Sequence, residues 1–151
     1  MRGYNRRMEF TISHGDISVT VDILHRNYAP TDAWSKTFVE AQVKASTPAF
    51  TATVRGPIGI VDLIDFRAAL GTVYDTLRGT ASLDTLDPLL SLGLSVDHLG
   101  HLLWEVTIVD PARAHRAQLS FRFESDQTYL PNVLTQLDAI LAAYPVTPPS
   151  D

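Results

Sequence analysis

"ESDQTYLPNVLTQLDAILAAYP", residues 124–145, changes its hydrophobic period part-way along, and the position of that change decides how the chain ends. From Leu130 onward, Val133, Leu134, Leu137, Ile140, Leu141 and Tyr144 fall on one broad helix face, predicting a helix near 130–143. Pro131 fixes where that helix begins. Proline has no N–H, and only the first turn of a helix has no use for one. A helix starting at Gln127 would need that N–H, so Asp126-Gln127-Thr128-Tyr129-Leu130 reads as a tight turn or a single 3₁₀ turn that hands over to helix. In this reading Asp126 caps exposed N–H groups, Gln127 and Thr128 bond nearby backbone, and Tyr129 and Leu130 turn inward. The corner is a structural device.

Upstream of the corner the period is two. "RAQLSFRFE" sets Ala117, Leu119, Phe121 and Phe123 against Arg116, Gln118, Ser120, Arg122 and Glu124, and "HLLWEVTIV" sets Leu102, Trp104, Val106 and Ile108 against His101, Glu105 and Thr107. "LLSLGLSV" alternates Leu90, Leu92, Leu94 and Val96 with serine and glycine, and "TASLDT" is a shorter run. The same alternation opens the chain. Met8, Phe10 and Ile12 share a face, then Ile17, Val19, Val21 and Ile23 after a turn at Gly15; Val39, Ala41, Val43 and Ala45 follow, then Phe50, Ala52 and Val54. One wet and one dry face per strand favours antiparallel sheet over buried parallel sheet.

Between these runs lies a helical stripe, Leu63, Phe66, Leu70, Val73 and Leu77, predicting a helix over 62–78. Asp62 and Asp65 sit in or near its first turn, where carboxylates match the helix dipole. Gly79 is placed to take the left-handed conformation that ends it. Gly71, inside the stripe, costs about 1 kcal/mol relative to alanine and so suggests close packing against a neighbour. The expected class is α+β, antiparallel sheet or sheets of about eight strands with two helices, in the order four strands, helix, four strands, helix. The two halves share this rhythm without a residue-level repeat.

The length of 151 residues suits one domain with a full core, expected over 8–145, with 1–7 a flexible basic leader ahead of a possible start at Met8 and 146–151 a disordered tail. Apolar residues make up 45% and charged residues 19%, ordinary for a soluble globular chain. A net charge of −5 argues against a nucleic-acid partner and suits a basic protein. With no cysteine, disulfide scaffolds, thiolate nucleophiles and cysteine-based zinc sites are excluded. No apolar run approaches the roughly 20 residues of a membrane span, and the leader lacks the apolar core of a secretion signal. The default location is the cytoplasm.

No catalytic, cofactor or metal constellation emerges. His98 and His101 sit at a strand-to-strand turn and would need a third ligand such as Asp97 or Asp87; turn histidines facing water are the simpler reading. His14, His25 and His115 have no local nucleophile partner. Asp62 with Asp65 is read as a dipole match, and Asp84 with Asp87 as turn chemistry. "RGPIGI" is no phosphate loop, and the nucleophile elbow is missing. Trp34, in a polar loop, either plugs one end of the sheet or anchors a partner.

The combination "DLIDFRAALGTVYDTLRGTASL" (62–83), "GHLLWEVTI" (100–108) and "LSFRFESDQTYLPNVLTQL" (119–137) resembles the WapI-like immunity proteins of bacterial polymorphic toxin systems. The matching pattern is a helix with Phe66, Leu70 and Tyr74, then Gly79, Ala81 and Leu83, then a strand running into Asp126, Gln127, Tyr129 and Leu130 before Pro131. The resemblance implies a cytoplasmic protein that binds and neutralises a cognate toxin domain without catalysis or cofactor. It carries over no contact residues. Exposed acidic positions are the candidates for partner binding: Asp22, Glu40 and Glu105 on strands, Asp84, Asp87 and Asp97 in turns, together with Trp34. The competing readings are a small-ligand carrier or enzyme with a cavity between sheet layers, and a structural or interaction module with another partner.

Overall fold

Alternation of apolar and polar residues says which face of a strand is dry, and pairing then follows the chain. A computed structural model describes residues 8–26, 37–85, 89–112 and 116–146. The expected leader (1–7), Trp34, Asp87, His115 and residues 147–151 of the expected tail lie outside the described residues.

Four strands come first: β1 (Met8–His14), β2 (Ile17–Arg26), β3 (Phe38–Ser46) and β4 (Thr51–Gly59). Helix α1 (Ile60–Thr76) follows without a loop. The second half repeats the order with β5 (Thr80–Asp84), β6 (Leu90–Val96), β7 (Leu102–Val109) and β8 (Gln118–Ser125), then a 3₁₀ turn (Gln127–Tyr129) and α2 (Leu130–Ala143). Each half forms its own antiparallel meander, β1-β2-β3-β4 and β5-β6-β7-β8. Gly15, at φ 59°, makes the turn from β1 to β2 that glycine adopts without steric cost.

The helices join the halves. α1, which ends the first half, packs on β5 of the second; α2, which ends the second half, packs on β1 of the first; and the helices touch each other. The dry faces of both sheets and both helices bury one continuous core, with Phe10 and Phe66 in ring contact at 6.0 Å. Among the described residues its only buried polar side chain is Ser125, whose hydroxyl accepts the Trp104 indole N–H at 3.0 Å.

Several local expectations change. α1 runs over 60–76 rather than 62–78, and Leu77 at φ 54° takes the left-handed position expected of Gly79; Gly79, at φ 90°, instead leads into β5. Leu77 therefore leaves the core stripe and is part-exposed. Gly71 meets no neighbouring element: a Cβ there would stand 2.6 Å from Nη1 of Arg67, four residues back on the same helix. Phe50 shares the core-side register of Ala52 and Val54 but is 62% exposed, because β4 is an edge strand and only its far end, at Gly56 and Ile58, lies under the second half.

Candidate partner-binding surface

The corner after β8 is a single 3₁₀ turn capped by Asp126. The Asp126 carboxylate accepts the Thr128 N–H at 3.0 Å, and its carbonyl accepts the Tyr129 N–H at 3.1 Å. Pro131 is the second residue of α2, where no intrahelical acceptor awaits its missing N–H. Leu130 is buried, but Tyr129 is 46% exposed and does not turn inward. Its ring stands edge-on to His14 at 5.8 Å, because the 3₁₀ turn rotates it off the face that α2 presents to the core. Beside it His14, His101, Glu124 and Gln127 line a polar hollow of about 360 Å³.

His101 is held by its own turn. Asp97 accepts the N–H groups of Leu99 and His101 at 2.8 and 2.9 Å and meets His101 Nδ1 at 3.1 Å. The His101 backbone N–H, ahead of the other contacts, holds the Asp97 carboxyl below the usual carboxylate range. Among the described residues no three histidine or acidic side chains converge as a metal site.

The acidic candidates separate into different neighbourhoods. Asp22 and Glu40 lie on the wet face of the first sheet, and Glu40 pairs with Arg55 at 3.2 Å. Glu105, on the wet face of the second sheet, faces Arg122 across the ladder at 4.0 Å. Asp84 is not in a turn: it is the last residue of β5, opposite Ser91, whose hydroxyl donates to it at 2.6 Å. Asp84 lies near Asp62 and Asp65 at the start of α1, a cluster that spacing along the chain does not reveal. Burial first, then Asp65 and Asp84, raises the Asp62 carboxyl above its ordinary value. Val61 and Ile64 stand exposed in the same first turns of α1 as Asp62 and Asp65. Tyr74 is also part-exposed, while Phe66 is fully buried.

A hollow of about 650 Å³ opens between the edge of β4 and the junction of β7 and β8. Phe50, Ala52, Val54, Ile108, Pro111 and Leu119 give it apolar walls. Nothing in the amino-acid pattern announces this cleft, because it depends on how two separate sheets meet; the one available signal is the surface phenylalanine at position 50. The cleft opens to solvent, and apolar side chains fill the core between the sheets.

The chain matches the sequence model of the Immunity protein WapI-like family over residues 9–145. No curated protein sequence gives a significant match. Among solved structures it is similar to WHY1 from Arabidopsis thaliana, with 10% identity, a TM-score of 0.53, and coverage of 95% of this chain and 88% of that one. It is also similar to the MRP1/MRP2 structure from Trypanosoma bruciei, with 14% identity, a TM-score of 0.51, and 92% and 86% coverage. WHY3 from Arabidopsis thaliana gives 8% identity, a TM-score of 0.50, and 95% and 90% coverage. At such identities the likeness is one of fold alone. Among the described residues no helix is long and apolar enough to cross a membrane.

Proposed function

The chain belongs to the WapI-like immunity protein family, and from that premise we propose that it binds a cognate toxin domain in the cytoplasm and neutralises it by stoichiometric occlusion, without catalysis. The observation that carries this reading is the family match, which spans both sheets and both helices. To protect a cell, such a complex needs nanomolar affinity, about 12 kcal/mol, from roughly 800 Å² of each partner. Surface charge contributes mainly to the rate of encounter, and a few buried apolar anchors supply the holding energy.

Of the acidic candidates, Asp84 is the one that adds to a cluster, with Asp62 and Asp65 beside exposed Val61 and Ile64. That patch suits a basic partner surface. Asp22 and Asp97 add negative potential elsewhere, whereas Glu40 and Glu105 share theirs with arginines. Asp87 and Trp34 complete the candidates. The experiment is coexpression with the toxin domain encoded beside this gene, scored by growth and by copurification. Rescue with a one-to-one complex is the expected result. Neither rescue nor complex would end this reading.

A further inference from the structure

The cleft beside β4 has a backbone as well as a side-chain character. Thr47 N–H donates to the Phe50 carbonyl at 2.8 Å, which makes these two a hydrogen-bonded pair closing the β3–β4 hairpin. Bonded and non-bonded pairs alternate along an antiparallel ladder, and the register is unbroken from Ser46↔Thr51 to Phe38↔Gly59. Ala52, Val54, Gly56 and Ile58 therefore bond inward to β3. Thr51, Thr53 and Arg55 turn their main-chain N–H and C=O outward, over about 14 Å of edge. Position 57 also faces outward and is a proline, with no N–H to leave unmet.

Two other edges, at β1 and β5, are covered. The outward Thr11 N–H of β1 is taken by Gln136 of α2 at 2.9 Å, and β5 lies under α1. Among the described residues, no backbone group pairs with the outer side of Thr51 or Thr53. Charge adds a direction. Arg55 and Arg116 flank the cleft, and the one carboxylate among its described lining residues, Asp110, is turned into its own loop, accepting the Ala112 N–H at 2.9 Å. A chain of net charge −5 thus carries two guanidinium groups near this sheet edge, one of them shared with Glu40.

We propose that β4 is a docking edge: an extended segment of the partner protein, alternating apolar residues with carboxylates, adds to the first sheet as a fifth strand. Its apolar side chains fill the cleft against Phe50, Val54 and Leu119, and its carboxylates meet Arg116 and the Arg55 already shared with Glu40. Main-chain bonds hold such a strand, and the pocket for alternate side chains selects it. The inference rests on reading the chain as a binder of a foreign protein, with the partner's strand supplying the anchor.

The test titrates the full chain with a synthetic peptide of alternating valine and glutamate and follows amide exchange. Slowed exchange at Thr51, Thr53 and Arg55 is expected, with at least ten-fold weaker binding when lysine replaces glutamate. Thr53→Pro removes one outward donor and blocks the incoming strand but leaves the β3–β4 ladder intact; it should abolish binding with little change in melting temperature. Arg116→Glu, at an exposed position, should weaken binding ten-fold and serves if the proline variant does not fold. Unprotected amides at saturating peptide, or undiminished binding by both variants, would overturn the proposal. So would a dimer of this chain that Thr53→Pro returns to monomer. With the toxin domain, Thr53→Pro should lower affinity at least 100-fold; equal affinity would place the toxin elsewhere and overturn the docking edge while leaving immunity standing. If the wild-type chain does not bind the toxin at all, the immunity reading falls and the peptide titration decides the edge by itself.

Discussion

Replacing Gly71 by alanine separates two accounts of why a glycine sits inside α1. An interior Gly→Ala change stabilises a helix by about 0.8–1.0 kcal/mol when nothing obstructs the new methyl. Here the obstruction is the guanidinium of Arg67, 2.6 Å from the methyl position. Arg67 lies across Gly71 to reach Asp138 of α2, with Nε–Oδ1 at 2.6 Å and Nη2–Oδ2 at 3.1 Å. The pair is 31% and 56% exposed, so solvent screening holds its worth to roughly 0.2–1 kcal/mol. If Arg67 shifts and keeps Asp138, most of the propensity gain survives; if it lets go, gain and loss nearly cancel. Gly71→Ala should therefore change stability by about 0 to +1 kcal/mol, and in an Asp138→Asn background the full 0.8–1.0 kcal/mol should appear. Urea unfolding of the four proteins followed by circular dichroism measures this. Arg67 holds the Asp138 carboxyl below the usual carboxylate range, so the coupling is present above the unfolded-state pKa and is lost as pH falls through the folded one. Destabilisation by more than about 1 kcal/mol in both backgrounds would refute the argument and restore close packing as the cause.

Asp126→Ala, which deletes the acceptor of the Thr128 N–H, should cost about 0.5–2 kcal/mol and leave toxin affinity unchanged, measured by melting and titration. Trp104→Phe leaves the buried Ser125 hydroxyl without its partner and should cost about 1–3 kcal/mol by denaturant unfolding. Asp62→Asn should be stabilising at neutral pH: the folded carboxyl titrates above its unfolded value, so wild-type stability falls as pH rises from one to the other, and the variant should lack that slope.

The four-strand, helix, four-strand, helix order was legible because each element is set by its own period, and α2 lies where Pro131 and the apolar face place it. Strand faces were legible too, but alternation names a face without naming what covers it. Phe50 and Val43 read alike in sequence; one is fully buried and the other lies on an open edge, a difference made by residues far away in the chain. Likewise Leu77 and Gly79 competed for one left-handed position, and the helix ended two residues earlier than glycine chemistry suggests. The Asp62, Asp65 and Asp84 cluster and the β4 cleft arise only when the two halves meet, so spacing along the chain does not show them.

The exchange of helices between halves also sets a timetable. The edge of β1 is closed by Gln136, 125 residues after Thr11, and the sheet made first is covered by the helix made last. Contacts so distant along the chain close slowly, and none of them can form before the final turns of α2 leave the ribosome. Until then β1 of the nascent first half lacks the helix that packs on it. A protein built this way becomes competent all at once and late, so for the role proposed above a cell must stock the antidote before it meets the poison.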